Sequence, residues 1–309
     1  MGTKKDNDLG DRETLTWKEG IMFRILRPFE FVEPHSLKEV VELVDGIKSK
    51  VLAGGVDLVL KMRRRETVPE RVVSLQNVPG LDYVTSNGRD LKLGALATLW
   101  DIEKSPLVRK KWPLLQEAIG GIVSTQVKVM GTAVGNLCVG TPASDLAPAL
   151  YVMGAKVRIT GRDSEREIPI EAFFLDTGRT ALNPHEIVKE IYVPGSEPGS
   201  RGVFMKLSKT AEDIAKVNVA VMLTMKGAQS RQVRIALGSV APTPIRAKRA
   251  ENILAGKELD SVLIEKASEA AAEEAKPISD IRSTAEYRRN MVRVLVRDAL
   301  QKASGNVER

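Results

Sequence analysis

Two short stretches of this chain hold residues that can grip an anion. In "VLAGGVDLVLKMR" (51–63), Gly54-Gly55 stands between an apolar run and a helical pattern. In "GTAVGN" (131–136), Gly131 and Gly135 permit a second tight turn. A strand that turns into a helix leaves the first backbone N–H groups unpaired. Glycine tolerates positive φ and adds no Cβ, so successive N–H groups can face one concavity. The helix dipole adds partial positive charge at the same place. Such a nest suits a phosphate. Thr132 adds a hydroxyl for a phosphate oxygen, and the Asn136 amide can steady a loop. "TPASDLAPAL" then sets Asp145 before an apolar run, either as a helix N-cap or as a partner for a ribose hydroxyl or an amide.

A Gly-Gly pair alone is ordinary turn chemistry, so the question is whether both turns serve one ligand. The chain has no G-x-G-x-x-G after a strand and no G-x-x-x-x-G-K-[ST], which leaves the single-loop nucleotide modes unsupported. A bound nucleotide must then be clamped by two turns from separate subdomains. A pyrophosphate carries two negative charges, and a nest on each side matches it.

Other chemistry is largely excluded. The one cysteine, Cys138, can neither close an internal disulfide nor ligate an iron–sulfur cluster by itself. His35 and His185 lie far apart and outside metal-ligand spacing. No paired carboxylates or nucleophile–base set stands out, so no catalytic residue and no metal ligand is assigned. The net charge of +7 includes the runs "KMRRR" (61–65) and "RAKR" (246–249), yet only 4% of residues are aromatic. Base-stacking platforms are scarce, and these runs read as solvated faces or a surface for an acidic partner rather than a nucleic-acid site. No apolar stretch is long enough for a membrane span. The start "MGTKKDNDLGDRETLTWKEG" lacks a signal-peptide core, and Asp6 stands where myristoylation wants Ser or Thr. The expected location is cytoplasmic.

The elements that must position the turns follow from pattern. Residues 1–22 read as a flexible N-terminal extension. "FEFVEPHSL" gives a short strand. "SLKEVVELVDGIKS" gives a helix with Ser36 and Glu39 as a capping box. "KVLAGG" is a strand, "VDLVLKMRRR" a helix and "RVVSL" a strand, a β-α-β-α-β order that argues a small α/β unit. Further on, "LKLGALATLWDIEKS" reads as strand, turn and helix start. "PLLQEAIGGIV" is helical, "RITGRDSEREIPIEAFF" a hairpin and "EIVKEIYVP" a strand. "PGSEPGSRG" (194–202) reads as a linker. Beyond it come three strand-like runs and two helices, the last with Met291, Val294, Leu295 and Leu300 in its apolar stripe.

Six ordered blocks then carry a resemblance: "AGGVDLVLKMR", "QVKVMGTAVGNLCVGTPASDLAPAL", "TALNPHEIVKEIYVP", "MKLSKTAEDIAKVNVA", "VRIALGSVAPTPIRAKRAE" and "AEYRRNMVRVLV". From about Phe29 to Ala303 the chain resembles the FAD-binding medium subunit of molybdenum hydroxylases, of the carbon monoxide dehydrogenase and xanthine dehydrogenase type. The resemblance implies an α+β chain. Its FAD-binding domain (23–198) is of the vanillyl-alcohol-oxidase (PCMH) type, with α/β subdomains of about 23–78 and 79–198. A smaller α+β domain (199–309) follows. It also implies cofactor contacts. The first pyrophosphate turn falls on Leu52, Ala53, Gly54, Gly55, Val56, Asp57 and Leu58, the second on Thr132, Ala133, Val134, Gly135 and Asn136. An FAD-contacting aspartate falls on Asp145. Flavin-ring neighbours fall on Ile122 and Val188, and a lysine on Lys206, where a cation would stabilise an anionic reduced ring.

Two positions depart from the family pattern. Val134 replaces the first glycine of Thr-x-Gly-Gly-Asn, which requires negative φ there, because a β-branched residue resists positive φ. Val56 has no hydroxyl to offer a phosphate. The extra iron–sulfur cluster of the benzoyl-CoA-type branch is excluded by the cysteine count. The implied function is an FAD subunit that takes electrons from [2Fe-2S] clusters on a small partner and passes them to NAD, a quinone or oxygen. A large partner binds the molybdopterin cofactor, and the likeness implies a dimer of heterotrimers. The alternative from Val56 and Val134 is a structural subunit of the same complex that has lost FAD binding.

Overall fold

The computed structural model describes residues 25–305. The expected extension at 1–22 lies outside the described residues. The first unit runs β1 (Glu30–Val32), α1 (Leu37–Leu43), β2 (Ser49–Leu52), α2 (Val56–Arg63) and β3 (Arg71–Ser74). Its strands form a parallel sheet in the order β1-β3-β2. Local chemistry explains the starts and stops. Ser36 Oγ accepts from the Glu39 N–H, and the Glu39 carboxylate accepts from the His35 N–H, which satisfies helix-start donors. Gly55 precedes α2 with φ of 74°, a left-handed conformation that favours glycine.

The second unit opens with β4 (Val84–Ser86) and β5 (Leu91–Gly94). Six short helices follow: α3 (Leu99–Lys104), α4 (Pro106–Lys111), α5 (Pro113–Gly120), α6 (Thr125–Met130), α7 (Ala133–Cys138) and α8 (Leu146–Met153). It closes with β6 (Lys156–Thr160), β7 (Glu165–Pro169), the small pair β8 (Phe174–Asp176) and β9 (Arg179–Thr180), and β10 (Ile187–Val193). The antiparallel sheet is ordered β4-β5-β10-β6-β7. All eight residues of α8 are buried, so it reads as a core helix rather than a surface one.

The third unit is a four-stranded antiparallel sheet, β11 (Ser200–Leu207), β12 (Val217–Lys226), β13 (Gln229–Gly238) and β14 (Ile245–Arg246). The helices α9 (Lys248–Leu254), α10 (Ser261–Glu274) and α11 (Ala285–Ser304) cover it. β12 is buried on both faces and alternates between two cores. Val217, Val219, Val221 and Leu223 pack with the α9–α11 layer. Ala220 and Met222 join the core of the second unit.

Three expectations shift. β11 begins at Ser200, inside the segment read as a linker. The buried stripe of α11 is Val292, Val296, Ala299, Leu300 and Ala303; Met291 and Leu295 flank it. The second turn is itself the start of a helix, α7, with Val134 and Gly135 inside it.

Candidate functional site

The two glycine turns meet. A Cβ placed on Gly54 would lie 1.7 Å from the Met130 carbonyl oxygen and 3.1 Å from the Gly131 Cα. Real atoms do not approach that closely, so only glycine lets the end of β2 pass the end of α6. Around this crossing lies a cleft of about 740 Å3, within the roughly 300–1,000 Å3 usual for ligand sites. Its walls include Gly54, Gly55, Val56, Asp57 and Leu58 from the first turn, and Thr132, Val134, Gly135 and Asn136 from the second. Val188 reaches it from β10. A separate groove of about 970 Å3 lies on the other side of the crossing and takes in Leu52. Ala53, Gly54, Gly55, Val56 and Thr132 line both hollows.

The amides of the two turns are used differently. At the first, α2 has no side-chain cap. The N–H groups of Gly55, Val56, Asp57 and Leu58 have no bonding partner among the described residues, as the first four donors of a helix do not unless capped. At the second, Thr132 Oγ1 accepts from the Gly135 N–H at 2.9 Å. The Ala133 N–H donates to Ala97 O, and the Asn136 N–H to Thr132 O. Ala133 is fully buried and does not line the cleft. What the second turn still offers an anion is the Thr132 hydroxyl proton and the N–H groups of Thr132 and Val134. Val134 occupies the helix start with its side chain 5% exposed, so its β-branch meets no positive φ. Val56 and Val134 line the cleft without closing it.

Cations complete the wall. Lys50, Lys61 and Arg179 line the cleft, and Arg63 lines the groove behind it. Lys61 and Arg63 belong to the "KMRRR" run read as solvated. Their sequence signal is a basic last turn on a helix whose first turn is glycine-rich. An uncapped helix N-terminus, a crossing open only to glycine and flanking cations together fit a diphosphate-bearing ligand. Cys138 also lines the cleft; burial pushes its thiol up to about 12, so it stays protonated.

Asp145, Lys206 and Ile122 do not line that cleft; Asp145 and Lys206 form a buried polar cluster behind it, with Ile122 beside it. Asp145 stands at the start of α8, but its side chain makes no cap. Ser144 Oγ takes that role, accepting from the Ala147 N–H. The Lys206 ammonium donates to Asp145 Oδ2 at 2.7 Å and to Gly121 O at 2.9 Å, beside Ile122. Burial raises the Asp145 carboxyl above its ordinary value, and Lys206 and Asn218 oppose that shift. Asn218 is fully buried; its Nδ2 donates to Asp145 Oδ1 at 2.7 Å and to Ser144 O at 3.1 Å. The Ser144 hydroxyl donates to Asn136 Oδ1 at 2.6 Å. This cluster therefore reaches the cleft wall through Asn136. Asn218 escaped the sequence reading; its only signal is one amide inside the apolar strand "VNVAVMLTM".

Residues 27–196 match the family model described as FAD binding domain in molybdopterin dehydrogenase. Residues 202–303 match the CO dehydrogenase flavoprotein C-terminal domain. The chain is 32% identical over 277 residues to the carbon monoxide dehydrogenase medium chain of Hydrogenophaga pseudoflava, covering 89% of this chain and 96% of that one. It is 31% identical over 279 residues to the nicotine 6-hydroxylase medium subunit of Paenarthrobacter nicotinovorans, covering 90% and 98%. Among solved structures, carbon monoxide dehydrogenase from Hydrogenophaga pseudoflava lacking the Mo-pyranopterin moiety of the molybdenum cofactor superposes with a TM-score of 0.89 at 32% identity, covering 92% of this chain and 100% of that one.

Proposed function

The chain belongs to the FAD-binding medium subunits of the molybdenum hydroxylases, a family of oxidoreductases, and from that premise we propose that it is the electron-exit subunit of such a complex. In this reading electrons arrive from [2Fe-2S] clusters on a small partner and leave to NAD, a quinone or oxygen. When bound, FAD supplies the exchange between single-electron and paired-electron transfer. The chain's own residues bind, orient and shield. The four open N–H groups of α2 receive the diphosphate, and Thr132 and Val134 approach it from the facing turn. Val188 supplies apolar surface for the ring, and Lys206, held by Asp145 and bonded to Gly121 O next to Ile122, supplies positive charge behind it. The FAD-binding unit is taken as 23–198 and the C-terminal unit as 199–309. The proposed setting is a cytoplasmic dimer of heterotrimers whose large subunit carries molybdopterin. No helix among the described residues is long and apolar enough to cross a membrane.

The observation that carries this reading is the meeting of Gly54 with Met130 and Gly131 at the mouth of an uncapped helix. The test is direct. The full-length chain is reconstituted with FAD, desalted and scanned in the visible region. A retained flavin band is expected. Protein that emerges colourless, with all flavin in the small-molecule fraction, would reject the cofactor role and leave the structural-subunit alternative.

A further inference from the structure

We propose that Asn218, on the C-terminal sheet, is a positioning residue of the flavin cleft, and that Gly238 exists to make room for it. This rests on the reading of the cleft as the FAD site. The partners of the Asn218 nitrogen, Ser144 O and the Asp145 carboxylate, can only accept, so the amide orientation is fixed by chemistry. One NH2 group thus clamps two consecutive residues, 144 and 145. Ser144 carries the clamp to Asn136 on the cleft wall. Asp145 carries it to Lys206, which stands opposite Asn218 in the strand register.

The cost of the arrangement shows its purpose. Asn218 Oδ1 is buried with no hydrogen-bond partner, and an unpartnered buried acceptor is unfavourable. On the next strand Gly238 faces Asn218 in register, and a Cβ there would lie 2.0 Å from that oxygen. A leucine at 218 would avoid the orphaned oxygen and fill a core strand better. The amide is retained where only its donors do something. They hold the Asp145 carboxylate toward Lys206 and fix the Ser144–Asn136 contact. The second unit thereby takes the shape of its cleft from the third.

The charged groups facing Asn218 are Asp145 from α8 and Lys206 from β11. Farther along the same face stand Glu117 on α5, which accepts from the Phe204 N–H, and Arg234 on β13, which donates to Val152 O. That setting gives a variant with a pH signature. In Asn218→Asp, a protonated carboxyl can donate to Asp145, whereas an ionised one repels it. FAD affinity of N218D is therefore expected near wild type in acid and lost as pH rises, while wild-type affinity stays level. Asn218→Leu is expected to weaken FAD about tenfold or more at every pH, the loss of a hydrogen bond to a charged group. Gly238→Ala, which displaces the amide without touching Asp145, is expected to act in the same direction.

The experiment is FAD titration of the full-length chain and the three variants across pH, followed by fluorescence quenching, with melting curves of the FAD-free proteins as the control for folding. Wild-type binding together with level, wild-type-like binding by N218L, G238A and N218D overturns the assignment to Asn218 and spares the cleft. A pH-dependent loss confined to N218D supports it even where N218L does not fold. A wild-type chain that takes up no FAD overturns the cleft reading itself, and this inference with it.

Discussion

The turns at 52–58 and 132–136 look alike in sequence and do different work in the fold. The first leaves four helix-start amides open and caps none of them. The second closes on itself through the Thr132 hydroxyl and the Ala97 carbonyl. Their glycines differ too. Gly54 is there for a close approach of two backbones, and Gly55 for a left-handed φ of 74°. Gly135 lies in helical backbone, where a Cβ would stand 2.9 Å from Thr132 Oγ1 and crowd the cap. A glycine pair therefore says little about anion binding until the destinations of its amides are known. Under the proposed function the first turn is the main receiver, and the second, largely closed by its own bonds, is chiefly its buttress.

That contrast can be broken most severely at Gly54. Gly54→Ala drives a methyl into the Met130 carbonyl. The expected loss is about 3 kcal/mol, the upper end for overpacked sites, with no flavin retained after desalting. Denaturant titration and flavin absorbance check it. A G54A chain as stable and as yellow as wild type would mean that the turns do not cross there.

Next in size is Gly55→Ala, which forces a side chain into left-handed backbone at a cost of about 1–2 kcal/mol and re-aims the open amides. Both stability and FAD affinity are expected to fall, as read by the same two measurements. Thr132→Ala removes a helix cap, worth about 1 kcal/mol, and Thr132→Ser should restore it. If the second turn is a buttress, T132A lowers the melting temperature while the folded fraction still binds FAD within a few-fold of wild type. A tenfold affinity loss at unchanged melting temperature would make Thr132 a principal phosphate contact rather than an auxiliary one and erase the contrast.

The smallest effect belongs to Cys138, at the end of the helix that the second turn begins. Burial raises its pKa from 9.0 to about 12. The folded chain thus favours the thiol. Its contribution to stability is complete below the unfolded value of 9.0 and is lost as pH climbs toward 12. At roughly pH 8, alkylation should be much slower in the native chain than in denaturant, because the thiolate is the nucleophile. Fast native labelling would show that the α7 wall of the cleft opens readily.

The first unit was the most legible part of the fold. Its helix starts announce themselves through Ser36, Glu39 and Gly55, and its strands are short apolar runs between them. The long strands of the third unit were equally plain. The turn at 131–136 was misread because Gly131 and Gly135 outweigh the helical tendency of "AVGNLC" in any local pattern; the Thr132 cap decides it. On α11 Leu300 is common to the expected and observed stripes, whereas Val292 and Val296 are the buried residues in place of Met291, Val294 and Leu295, because the helix packs on both α10 and β12. The run at 61–65 reads as a solvated face, and Arg63 is exposed as that reading expects; that Lys61 and Arg63 also border the two hollows depends on the fold and not on local pattern. Asn218 and its link to Asn136 join residues 82 positions apart, and no local spacing encodes such a contact.

β12 gives alternate side chains to the two cores that flank it, and Phe204 and Ala236 on its neighbours also pack into the inner one. A chain severed after Pro198 would thus lose one wall of its own interior, laying bare the apolar sides of α5 and α8. Proteolysis in that link should release no free-standing flavin fragment, only material that clumps.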